Sequence, residues 1–89
     1  MAFNESGNAQ IHVLRDRPSR IDKPARIVID KTSSMDCLVR NLSATGALVM
    51  VSHPTYLPDR IVVAIPDMGF ERAARIKWRR ARSIGLIFN

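Results

Sequence analysis

Short β-rich runs separated by turn residues constrain this chain more than any other feature. Apolar and β-branched residues cluster at positions 25–29, 35–40, 47–51, 60–65 and 84–88. Between them stand Asp30-Lys31-Thr32-Ser33-Ser34, Asn41 to Gly46, Ser52 to Asp59, Pro66-Asp67-Met68-Gly69 and Arg80 to Ser83. A strand roughly every ten residues with turn chemistry in each gap points to a small antiparallel barrel or sandwich. The chain has 89 residues, enough for one modest core but too few for a cleft between lobes.

The segment 70–81 reads two ways. Phe70, Ala74, Trp78 and Ala81 form a helical stripe, and Glu71 and Arg75 would pair across one turn. The same residues also alternate, with Phe70, Ala74, Ile76 and Trp78 opposite Glu71, Arg75, Lys77 and Arg79; Arg72 disturbs this pattern. Tight connections on both sides favour a strand. In the Pro66–Gly69 turn proline presets φ and glycine can take φ > 0. Counting this segment, the reading is six short antiparallel strands, an all-β fold. Residues 1–14 read as a flexible tail and residues 15–89 as the barrel domain, with residues 15–24 an extended, exposed loop ahead of the first strand.

A net charge of +6 suggests an anionic partner: nucleic acid, a phosphorylated small molecule, or an acidic protein or membrane surface. Cys37 has no partner for an intrachain disulfide and reads as a small core residue. The first ten residues lack the basic and apolar regions of a signal peptide, and no run approaches the ~20 apolar residues of a membrane helix, so the expected location is cytoplasmic. His12 and His53 stand apart from any cysteine or carboxylate at ligand spacing, so no metal site, no cofactor and no catalysis are expected.

With the strands placed, residues 15–88 resemble the PilZ domain family. Asn41, Ser43 and Gly46 match its Asp/Asn-x-Ser-x-x-Gly corner at the end of the second strand. Trp78-Arg79-Arg80 followed by Ile84-Gly85-Leu86-Ile87-Phe88 is similar to its last two strands. The family's other marker is an Arg-x-x-x-Arg loop; here Arg15, Arg17 and Arg20 lie in the corresponding segment at different spacings. The resemblance implies a six-stranded antiparallel β-barrel of the split-barrel type that binds the bacterial second messenger cyclic di-GMP in signalling.

On that reading the ligand contacts are Arg15, Arg17, Arg20, Asn41, Ser43 and Gly46, with Arg79 or Arg80 extending the phosphate site. A guanidinium can pair with a phosphate, stack on a purine, or bond to guanine O6 and N7. The Asn41 amide can bond a base edge. Ser43 can bond the ligand or stabilise the turn, and Gly46 permits φ > 0 and lets a ligand approach the backbone closely. Trp78 is expected in the core. Two alternatives stay open. One is a ligand-free PilZ-like adaptor that docks an effector protein through the third strand, apolar on both faces, and the basic last hairpin. The other is a basic barrel for single-stranded nucleic acid, ranked last because an exposed aromatic platform is lacking.

Overall fold

The computed structural model describes residues 17–89, so the reading of residues 1–14 as a tail, and those of His12 and Arg15, lie outside the described residues. The six strands are β1 (Ser19–Val28), β2 (Ser34–Leu42), β3 (Gly46–Met50), β4 (Arg60–Ile65), β5 (Phe70–Arg79) and β6 (Ser83–Phe88). They form a closed antiparallel barrel in the order β1-β2-β3-β6-β5-β4. No helix among the described residues is long and apolar enough to cross a membrane.

Alternation fills the barrel. Ile27, Val39, Val49, Val63, Ile65, Ala74 and Ile84 are fully buried, and their neighbours along each strand point outward. The connection from β3 to β4 passes through the short 3-10 turn Pro54–Tyr56, where Pro54 and Leu57 are buried. Arg79 ties this connector down by donating to the carbonyls of Pro54 and Leu57 and to the Asp59 carboxylate. The turn Pro66–Met68 joins β4 to β5, and Gly69 takes the left-handed conformation expected of it, at φ 59°.

The strand alternative holds for residues 70–79, and Arg72 is in phase with the interior. Its guanidinium lies 5.5 Å from the Phe70 ring centroid and 5.3 Å from that of Phe88, and donates to the Ala44 carbonyl at 3.5 Å. The long arginine stem lets an inward position carry a charge outward to polar groups.

The first strand is longer than expected. Residues 19–24, read as an exposed loop, belong to β1 and pair with β2, with a bulge between Arg20 and Lys23. Pro24 is tolerated because β1 pairs with β4 only at Arg26, Ile27 and Val28, which leaves the second edge of β1 open at Pro24. Inside the bulge Asp22 takes φ 49°, a left-handed conformation that aspartate accepts more readily than most residues.

Candidate functional site

The corner that marked the candidate site divides into a structural half and an accessible half. The Ser43 amide donates to the Gly46 carbonyl at 2.9 Å. Its Oγ accepts the Gly46 and Thr45 amides at 3.2 and 3.3 Å. Ser43 is only 5% exposed, so its hydroxyl builds the turn, the second of the two roles foreseen for it. Gly46 does not adopt positive φ, contrary to one reading of its use. A Cβ there would collide with the Leu86 carbonyl oxygen, so it is the β6 backbone that approaches Gly46 closely.

Asn41 is placed differently. Its partner on β1 is Arg20 and its partner on β3 is Leu48. Leu48 pairs in turn with Gly85 on β6, and Gly85 with Trp78 on β5. Five strands therefore contribute one cross-barrel row: Arg20, Asn41, Leu48, Gly85, Trp78. The residues flanking the middle of this row, Leu42, Val49, Ile84 and Leu86, are buried in the core, so the row faces outward. A groove of about 250 Å³ lies along it, bordered also by Pro18 and Lys77. None of the side-chain hydrogen bonds among the described residues uses the Asn41 amide, which leaves a donor and an acceptor free.

Trp78 is on the outer wall, not in the core. The β5–β6 register shifts between Ile76 and Trp78, and this bulge turns the indole out of phase with Phe70, Ala74 and Ile76. The ring packs on Gly85, where any Cβ would strike it. Arg80 lies over the same ring, 4.7 Å from its centroid. A planar cation and an indole therefore meet at the rim of the groove. A strict two-residue period carried no sign of the bulge.

The arginines separate by commitment. Arg17 is exposed at the start of the described chain, one residue before Pro18. Arg20 reaches the row, and its Nε donates to Asp22 at 2.6 Å. The Arg20 and Asp22 side chains are 67% and 42% exposed, so this ion pair adds little to stability. Arg79, one of the two residues assigned a phosphate contact, spends its donors on the β3–β4 connector; Arg80 stays near the groove through Trp78. Arg40 escaped the sequence reading. It occupies a β2 bulge beside Asn41, and its Nε lies 3.8 Å from the same Asp22 carboxylate. Its one available signal was a charge immediately ahead of the corner.

A larger hollow of about 580 Å³ opens elsewhere on the wall, beside Cys37, Met50, His53 and Arg82. It contains none of the residues assigned to ligand binding. Burial, followed by the neighbouring Asp36 charge, pushes the Cys37 thiol up to about 12, which leaves it protonated and unreactive at neutral pH. The groove along Asn41 is the better candidate because free polar groups, cations and an aromatic ring converge there. No protein-family model matches the chain, and no curated protein is significantly similar to it.

Proposed function

We propose that this chain is a PilZ-like receptor module that binds cyclic di-GMP in the outer-wall groove. The observation that carries the reading is the register: Arg20 stands directly opposite Asn41, in one row with Trp78. A cyclic dinucleotide needs cations for its phosphates, a polar group for a base edge and a flat surface for a purine face. Arg20 and Arg17 supply the first, Asn41 the second, and Trp78 with Arg80 the third. A base can stack on the Arg80 guanidinium as it stands, or on the indole once Arg80 swings away. Ser43 and Gly46 serve the ligand indirectly, by fixing the turn that follows Asn41.

Calorimetric titration with cyclic di-GMP is the direct test. Saturable heat is expected, with Arg20→Ala weakening it by roughly tenfold, the scale of one well-placed charged contact. An absence of heat at high micromolar ligand sinks the reading. The adaptor alternative draws on one observation, a Tyr56 that is 75% exposed and stacked on His53 at 5.3 Å between centroids. A protein partner captured equally with and without nucleotide, and lost on Tyr56→Ala, would favour it.

A further inference from the structure

We infer that Asp22 holds the place of a ligand phosphate, and that Arg40 is the second guanidinium of the phosphate site. This rests on the groove being a cyclic dinucleotide site. Two cations from different strands converge on one carboxylate: Arg20 Nε at 2.6 Å from one oxygen of Asp22, and Arg40 Nε at 3.8 Å from the other. The second distance is an ion-pair distance and too long for a hydrogen bond. Among the described residues, Arg40 Nε is buried from solvent and has no hydrogen-bond partner. A guanidinium nitrogen buried without an acceptor is costly, so an anion that reaches it gains more than one bonded to an exposed arginine.

Geometry explains why Asp22 fills it poorly. Two bulges face each other here, one on β1 between Arg20 and Lys23 and one on β2 at Arg40. Asp22 is anchored by a left-handed backbone at φ 49°, and its side chain is short. It satisfies Arg20 and stops short of Arg40. A phosphate spreads its oxygens tetrahedrally and can accept from both guanidiniums at once. The Arg20–Asp22 pair is exposed and exchangeable, so an arriving phosphodiester displaces the carboxylate instead of adding to it. Asp22 thereby sets a threshold. Isolated anions compete badly with a tethered carboxylate, whereas a ligand that also engages Asn41 and the Trp78–Arg80 rim overcomes it. Arg40 also supplies a second cation without the loop spacing on which the family resemblance would rely.

The test titrates the full chain with two probes, cyclic di-GMP and inorganic pyrophosphate, which shares the phosphates but carries no base. Asp22→Asn and Asp22→Gly are both used, the glycine being compatible with the backbone at this position. Each should tighten both probes by roughly fivefold or more, and Arg40→Ala should weaken both by about tenfold. In the Arg40→Ala background the Asp22 substitutions should lose most of their gain. Arg40→Lys should not restore binding, because it lacks the Nε donor. Unchanged or weakened binding in both Asp22 variants overturns the proposal, as does an Asp22 gain that survives loss of Arg40. If pyrophosphate shows the full pattern while no variant binds cyclic di-GMP, the clamp stands and the dinucleotide reading falls. If cyclic di-GMP binds the wild type but is indifferent to Asp22 and Arg40, the reverse holds.

Discussion

Arg79 and Arg20 are both arginines beside an aspartate, and they do opposite things. Arg79 sits where the β3–β4 connector meets the barrel, its side chain 29% exposed, donating to two backbone carbonyls and to Asp59. Arg20 sits opposite Asn41 in the outward row, two-thirds exposed, with the Asp22 carboxylate as its partner among the described residues. Backbone carbonyls cannot move away, so a guanidinium bonded to them is structural. A carboxylate on an exposed side chain can be replaced by another anion. What separates Arg79 from Arg20 is how fixed their acceptors are, and this, not neighbouring charge alone, makes Arg20 the candidate for ligand binding.

The largest effect is expected at Arg79. Arg79→Ala should lower the unfolding free energy by about 2–3 kcal/mol, because it strands two carbonyl acceptors in a half-covered site. Urea denaturation measures this, and the protein that remains folded should bind ligand as before. Next is Gly46→Ala, whose methyl meets the Leu86 carbonyl with no flexible side chain to yield. A stability loss of roughly 1–3 kcal/mol is expected, read in the same denaturation experiment.

The groove should answer in binding and hardly at all in stability. Asn41→Ala should lower the unfolding free energy little, by about 0.5 kcal/mol or less, since its amide makes no side-chain hydrogen bond among the described residues. It should weaken cyclic di-GMP by roughly tenfold in calorimetry. A large stability loss with unchanged binding would make Asn41 a structural residue like Arg79. The smallest effect belongs to a turn outside both regions. The Asp30 carboxylate accepts the Thr32 amide and hydroxyl at 2.8 and 3.0 Å, and the amide bond foremost holds it below the usual carboxylate range. A group depressed on folding stabilises above its unfolded pKa and loses that contribution as pH falls through its folded pKa. Acid titration of stability should therefore be slightly shallower in Asp30→Ala than in wild type, and ligand affinity should not follow it.

Much of the barrel was legible in the residues. The second to fourth and last runs, the Pro66–Gly69 turn with its left-handed glycine, and the Asn41 to Gly46 corner all lie where alternation and turn chemistry put them. The misjudged features share one cause. Residues 19–24 carry Pro24 and mixed charges, yet they are strand because pairing to β2 needs only one edge. Trp78 shares the phase of Phe70 and Ile76 on paper, yet a bulge turns it out. Arg40 escaped notice because a bulge sets it beside Asn41. Arg72 broke the apolar pattern but is in phase with the interior, which a long side chain permits.

By itself, the sequence determined the number of strands, their antiparallel succession and the core that alternation buries, because these follow from local spacing and turn-forming residues. Tertiary structure alone decided which arginines are free. That depends on where carbonyls and carboxylates from distant strands arrive, and on three one-residue register shifts that no period of two contains. Those shifts set Arg40 beside Asn41 and turn Trp78 to the outer wall of the closed barrel, where the groove runs between Asn41 and Trp78.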